Sequence, residues 1–598
     1  MGGIRKSSFW RRALMFALAM AVALPVLAQG HIERASYWPD PKPDCSITPC
    51  AGGKVPTARS LGSALNDKAP GTTRVVCLRT SLKYLKKSIK RALANGYDLR
   101  PTDHRTLSAS QADKVLKINK QLAGRCQYHQ IQPAVTASHN NDRVVIMPGL
   151  YYEPTARKQP THDARCKDLI QNNDRGDSSA VSYAYQMKCP NDQNLIAVMG
   201  RANGSGQDPQ NPPLDRHGIP NLGRCIRCNV QIEGSGVSPD DVVVEAGRAK
   251  SGNHGPIDPV KDVGIRFDRA DGAVLRNVTV RHAGEHDVYI LESDGYMFDR
   301  IKTFYAGEYG VLTFVEDHGL MQNCDAAGNG DSGLYPGAAA DTGDQHQPGD
   351  GPRLNQEIRN CDSHHNALGY SGTDGNAVHI HNNNFYDNAE GFSTDVFTAE
   401  GHPGFPQDSD LIENNNFYSN NFNPYVAGSD VKPSVPVPVG TGGWVAGGNH
   451  DTIRNNRFWD NWRRGWMLFA VPDGFVCNSQ PQSGCDPKKV STSYNNRFYG
   501  NLMGVAPDGS SQPNGTDFWW DSFPNNTGNC WYGNKAAPGK SVTMSPNPLP
   551  DCANGTNPSL SIGTGNPQNE SELTGCLGSI EFSTGTCDWF TTPPKPKP

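Results

Sequence analysis

The chain has 598 residues, with 56 Lys and Arg against 60 Asp and Glu, and a net charge of −4 with histidine neutral. An acidic balance repels polyanions and argues against a nucleic-acid partner. No segment after the leader reaches about 18 consecutive apolar residues, which argues against a membrane-spanning helix in the mature chain.

The leader comes first. Arg5, Lys6, Arg11 and Arg12 precede an apolar run from Ala13 to Val26, and Val26-Leu27-Ala28 suits cleavage after Ala28. This is the pattern of a secretory signal peptide over 1–28. All 16 cysteines follow it, and an even number in an exported chain implies disulfides without giving their connectivity. The mature protein is therefore expected to be secreted, or held in the periplasm or cell envelope.

Residues 29–130 form a basic, Cys-containing extension. Ser81–Ala94 carries Leu82, Leu85, Ile89 and Leu93 at helical spacing and stops at Asn95-Gly96. Ser108–Cys126 opens with Ser108-x-x-Gln111, a capping box, and reads as a second helix. Next, Ile131–Val135 is an amphipathic cap, Arg143–Met147 a β-branched strand, and Pro148-Gly149 a turn. A polar insertion over 155–227 contains Cys166 and Cys189, which would staple it. Cys225-x-x-Cys228 has no second Cys-x-x-Cys beyond it and reads as a structural disulfide rather than a metal half-site.

Eight segments then repeat apolar-x-Asn-x-x-apolar: Leu275–Val280, Phe298–Thr303, Met321–Ala326, Ile358–Ser363, Ile380–Phe385, Ile412–Phe417, Ile453–Phe458 and Ser493–Phe498. A base period of about 22–23 residues with insertions is the mark of a solenoid. Aligned on the asparagine, the chain shows an inward column ending Phe385, Phe417, Phe458, Phe498, and an asparagine column of Asn383, Asn415, Asn456 and Asn496. A further asparagine column holds Asn329, Asn366, Asn388, Asn420, Asn461 and Asn501. Stacked amides can pass hydrogen bonds from coil to coil. The alignment places Cys324 and Cys361 in one inward column on neighbouring coils, close enough for a disulfide. Cys477 and Cys485 share an insertion and are expected to close it.

Four enlarged gaps, about 334–354, 396–409, 422–442 and 470–489, appear at one point of the coil and would wall one side of the solenoid. The strand beside them exposes Phe314 and Tyr335 next to Thr373, Ser393 and Asp395, a set suited to stacking on sugar rings and reading their hydroxyls. The loops add Asp341, Asp344 and Glu400, with Asp374 nearby. Paired carboxylates could run glycoside hydrolysis, and clustered ones could hold Ca²⁺. The candidate catalytic residues are thus Asp341, Asp344, Asp374, Asp395 and Glu400. His379-x-His381 sits in a column with Arg276, Arg359, Glu413 and Arg454 and reads as a charge ladder rather than a metal site.

The strand–Pro-Gly entry and the phrases Gly330-Asp331-Ser332-Gly333-Leu334-Tyr335-Pro336-Gly337 and Phe518-Trp519-Trp520-Asp521 resemble secreted right-handed parallel β-helix proteins of the pectate-lyase-like superfamily. The resemblance covers about 143–535 and implies a groove along parallel strands that meets polysaccharide. Glu316-Asp317-His318-Gly319 is not the Asp-Pro-His-Glu of alginate epimerases, and Asp341, Asp374 and Asp395 only loosely echo the Ca²⁺-ligating aspartates of pectate lyases. The expectation is an all-β parallel solenoid over 131–535, with a helical N-terminal extension and a Cys-containing C-terminal extension over 536–598. Its function would be to act on extracellular polysaccharide as a lyase or glycoside hydrolase. The other reading is a non-catalytic envelope or matrix binding protein.

Overall fold

A computed structural model describes residues 43–159, 163–171, 180–181, 183–202, 223–248, 255, 258–339, 354–397, 404–471, 493–523, 526–551, 567–577 and 587–597. The chain winds as a parallel β-helix of three sheets. In the first, Ala273–Arg276, Tyr296–Asp299, Gly319–Gln322, Gln356–Arg359, Val378–His381, Leu411–Glu413 and Thr452–Arg454 lie side by side in register. The second runs parallel through Val278–Arg281, Ile301–Phe304, Asp325–Ala327, Asp362–His364, Asn384–Tyr386, Asn416–Tyr418 and Arg457–Trp459. The third runs from Asn194–Met199 through Val263–Asp268, His286–Leu291, Tyr309–Phe314, Ser332–Gly337, Leu368–Tyr370, Glu390–Asp395, Trp444–Ala446 and Trp466–Phe469 to Phe518–Trp520 and Met544–Ser545.

The repeated asparagine is the corner between the first two sheets. Asn277, Asn323, Asn360, Asn382, Asn414 and Asn455 all have φ between 52° and 56°, as does Arg300 at 53°. Asparagine enters this left-handed region more readily than other non-glycine residues. The sheets on either side then turn away from each other, and their inward residues meet in one apolar core.

The eighth repeat falls elsewhere. Ile453 pairs with Phe498, not with Ser493, so the repeat is Phe498–Met503 with Gly500 at the corner (φ 67°). A further coil follows, in which Phe498 pairs with Trp531 and Gly533 turns the corner (φ 63°). Phe498 consequently stacks on Trp531 at 4.9 Å in the first-sheet column, and the second-sheet column runs Phe385, Phe417, Phe458, Met503. The phenylalanines of that column stack at 5.2 and 4.8 Å.

Three hydrogen-bonded ladders hold the corners. One runs Asn383, Asn415, Asn456, Asn501, Asn534, each backbone N–H donating to the next Oδ1. A second runs Asn329, Asn366, Asn388, Asn420, Asn461, Asn514. Asn501 and Asn496 therefore leave their expected columns. Asn496 joins a third ladder of Asp410, Asp451, Asn496 and Asn529. The second ladder explains a run of glycines that open the third-sheet strands. A Cβ on Gly391 would lie 2.7 Å from Asn420 Nδ2 and 2.5 Å from Gly442 O.

Cys324–Cys361 is a disulfide between neighbouring coils, with Cα atoms 4.5 Å apart. Cys166–Cys189 and Cys225–Cys228 are also bridged, as are Cys45–Cys50, Cys77–Cys126 and Cys576–Cys587. Cys477 and Cys485 lie outside the described residues. Among the described residues, no helix is long and apolar enough to cross a membrane.

Both extensions lie along the solenoid. Ser81–Asn95 and Ala109–Ala123 are helices, the second with the Ser108–Gln111 capping box formed. The hairpin Tyr97–Arg105 docks on the second sheet, where Arg100 meets Asp362 at 2.5 Å and the Thr102 N–H donates to the same carboxylate at 2.8 Å. In the C-terminal extension, Met544–Ser545 pairs with Phe518–Trp519 at the last coil, and Trp589 packs on Trp444 of the third sheet, 5.6 Å between rings.

Candidate functional site

The enlarged loops lie on both sides of the third sheet rather than at one point of the coil. Residues 338–355, 396–410 and 470–492 join the third sheet to the first, whereas 419–443 joins the second sheet to the third.

The outward face of the third sheet is not an open groove. Phe314 and Tyr335, expected to be exposed, are 1 % and 3 % accessible and belong to an apolar cluster with Tyr289, Leu291, Tyr309 and Leu312. Farther along, Trp444, Met467, Phe469 and Trp519 are covered by Val437, Val439, Leu573, Trp589 and Phe590. The register also shifts by one residue across the 419–443 loop. Ser393 pairs with Trp444 and Asp395 with Ala446, so Trp444 and Ala446 continue the outward columns.

Between the two apolar zones lies a buried polar centre with Asp395 as its hub. Its carboxylate accepts from Thr373 Oγ1 and Ser393 Oγ, both at 2.6 Å, and Trp444 Nε1 donates to Ser393 Oγ at 2.6 Å. Burial raises the Asp395 carboxyl, and the Ser393 and Thr373 hydroxyls and the Phe397 N–H pull it back down. Asp331, from the turn before Ser332, is pushed up to about 8, by burial first and by the charge of Asp395 second. It hydrogen-bonds Tyr309, whose ring lies 4.3 Å from that of Tyr335. Burial raises the Tyr335 hydroxyl, and Asp395 and Asp331 raise it further.

One outward column of the third sheet runs Tyr309, Ser332, Leu368, Glu390, Thr441, Arg464. Glu390 is fully buried, and neither Oε1 nor Oε2 has a hydrogen-bond partner among the described residues. Ser332 Oγ, Thr441 Oγ1 and Asp331 Oδ1 are also unpartnered. Burial raises Glu390 well above the ordinary carboxyl range, the charge of Asp395 adds to this, and Arg464 opposes it. Arg464 itself pairs with Glu572 at 2.8 Å and lies over the Trp519 ring. Tyr425, its hydroxyl bonded to Val435 and Val437 carbonyls, sits within electrostatic reach of Glu390 and Asp331. Buried polar groups left unpaired cost about 1–3 kcal/mol each, so a row of them calls for polar partners, whether water or a bound molecule.

The structure thus gathers Asp395, Tyr335, Thr373 and Ser393 into one centre. Asp374 is buried nearby, its carboxyl raised by burial and by Asp395. Phe314 belongs to the adjoining apolar zone. Asp341, Asp344 and Glu400 lie outside the described residues, and with them the loop carboxylates considered for Ca²⁺. Spacing alone missed Asp331, Glu390 and Tyr309. A signal was present: Tyr309-Gly310, Glu390-Gly391, Thr441-Gly442 and Arg464-Gly465 each put a polar side chain of this column just before a glycine of the buried run.

Comparison with known proteins agrees with the fold. Residues 256–401 match the family model described as right handed beta helix region. No curated protein matches the sequence. Among solved structures, the chain is similar to the A-module of an Azotobacter vinelandii mannuronan C-5 epimerase, AlgE4, at 11 % identity and a TM-score of 0.36, covering 71 % of this chain and 94 % of that one. An alginate lyase from Paenibacillus sp. str. FPU-7 aligns at 12 % identity and 0.33, covering 69 % and 94 %. Pectate lyase Pel9A aligns at 12 % and 0.30, covering 85 % and 92 %.

Proposed function

We propose that this right-handed parallel β-helix protein acts on an extracellular polysaccharide, cleaving glycosidic bonds by acid–base chemistry at the Asp395 centre. The observation that carries the reading is the row of unpartnered polar atoms on Ser332, Glu390 and Thr441 beside two carboxyls whose surroundings differ. A sugar is a polar guest with many hydroxyls to fill such a row. Asp331, held protonated near neutral pH, is suited to donate a proton to the leaving glycosidic oxygen. Asp395, braced by two hydroxyl donors, is suited to serve as the ionised partner that activates water or attacks the anomeric carbon. Tyr425 and the segment around it cover the row, so substrate entry requires that segment to lift. The disulfides fit an oxidising compartment outside the cytoplasm, where such polymers occur.

A second reading, a non-catalytic envelope or matrix protein, draws on one observation: the chain's own C-terminal residues close much of the same face. A panel of acidic and neutral polysaccharides separates the two. New reducing ends without ultraviolet absorbance are expected from the mature protein, falling about a hundredfold or more in Asp395→Asn and Asp331→Asn. Activity should decline as pH rises through about 8, where Asp331 loses its proton. New ultraviolet absorbance would replace hydrolysis by elimination. Full activity in Asp395→Asn would sink the assignment, and silence combined with retention on an insoluble glycan would favour the binding reading.

A further inference from the structure

We infer that Asp294, Asp317 and His318 form a binding site for one divalent transition-metal ion of the zinc or manganese class, at the turn joining the third sheet to the first. One ligand atom from each residue lies within 4.8 Å of the others. His318 Nδ1 is 2.7 Å from Asp294 Oδ1 and 3.3 Å from Asp317 Oδ2. Asp294 and Asp317 are ladder neighbours on successive coils, so the β-helix itself sets their spacing. Ligand atoms about 2.1 Å from a common metal stand roughly 3.0–3.4 Å apart. The Asp317 contact already meets that figure, and the Asp294 contact opens by about half an ångström once the shared proton is replaced by a metal.

The supporting groups point the same way. Gly53 N–H donates to Asp294 Oδ2 at 2.9 Å, and His318 N–H donates to Asp317 Oδ1 at 2.7 Å, leaving one oxygen of each carboxylate on the imidazole side. The loop that delivers Gly53 is closed by Cys45–Cys50. It presses so tightly that a Cβ on Gly52 would lie 2.8 Å from Asp294 Cγ. Behind the turn, Glu316 is fully buried; its Oε1 accepts from Ser293 N–H at 3.1 Å and its Oε2 has no partner. Asp271 accepts from Asp294 N–H at 3.1 Å and pairs with Arg201. Four carboxyls, those of Asp271, Asp294, Glu316 and Asp317, thus crowd one corner. A dication relieves that crowding. The imidazole donor and the small number of ligands favour a zinc or manganese class ion over Ca²⁺, which takes six to eight oxygens. His318 keeps 21 % of its side-chain surface accessible, so the ion would retain a position facing solvent.

Equilibrium dialysis of the mature chain against Zn²⁺, with Co²⁺ as a spectroscopic probe, tests the site. The expected result is one equivalent per chain, visible Co²⁺ absorption, and affinity lowered by about tenfold or more in His318→Gln and Asp317→Asn but unchanged in His381→Gln. Zn²⁺ should also raise the thermal midpoint of the unmodified protein, a readout that needs no variant. Absence of that shift, or equal Zn²⁺ affinity in His318→Gln, would overturn the inference.

Discussion

Two rows of buried polar side chains run along this solenoid, and they differ in one respect. In the asparagine ladder every amide has a partner: Asn388 Oδ1 accepts from Asn366 N and Nδ2, while its own Nδ2 donates to Asn420 Oδ1 and Ser363 O. In the third-sheet row, Glu390, Ser332 and Thr441 are as deeply buried but unpaired. The first row satisfies the backbone at the corners and belongs to the architecture. The second leaves hydrogen-bonding capacity unused among the described residues, and on this the proposed site rests.

The sharpest way to break this contrast is Asn388→Leu. It orphans the Asn366 N–H, takes one acceptor from Asn366 Nδ2 and one donor each from Asn420 Oδ1 and Ser363 O, and should cost roughly 2–4 kcal/mol in denaturant unfolding. A loss below about 0.5 kcal/mol would mean the ladder is ornamental. Asp331→Asn should act in the opposite direction. A carboxyl raised from 3.8 to about 8 on folding is stabilised in its protonated form, so its contribution is complete below the unfolded value and is lost as pH rises toward about 8. The variant removes that loss. It should be more stable than the unmodified protein at pH 8 by about 1–3 kcal/mol, with no gain near pH 4. A pH-independent difference would count against a buried acid. The smallest effect is expected from Tyr418→Ala on the outside of the second sheet, where Tyr418 stacks between Tyr386 and Trp459 at 4.9 and 4.3 Å. Thermal melts should register about 1 kcal/mol.

The solenoid was legible because one residue type meets two physical needs. Asparagine tolerates the left-handed corner, and the asparagine beside it passes hydrogen bonds to the next coil, so both leave a repeating trace. That trace blurs where glycine takes the corner. Gly500 and Gly533 do the same work as Asn455, and spacing on asparagine alone therefore placed the last repeat five residues early. The candidate centre was legible only in part. Ser393 and Asp395 alternate on one strand face, Thr373 faces Asp395 from the preceding coil, and all three could be paired by count. Asp331 and Glu390 lie where the chain enters the third sheet, ahead of the regular alternation. The long 419–443 connection hides the one-residue offset that puts Trp444 beside Ser393. Burial of Tyr335 and Phe314 was not readable either, since alternation alone does not show that Tyr289, Leu291, Tyr309 and Leu312 of neighbouring coils pack with them into one cluster.

The way the N-terminal extension is tied down has a consequence for how the molecule assembles. Gly53 bonds Asp294 across 241 positions and Arg100 meets Asp362 across 262. The N-terminal residues therefore wait for coils far later in the chain, whereas each coil needs only its predecessor. Formation of the coils should be local and sequential, and docking of the extension should be a separate, slower, high-contact-order event that locks a solenoid already wound.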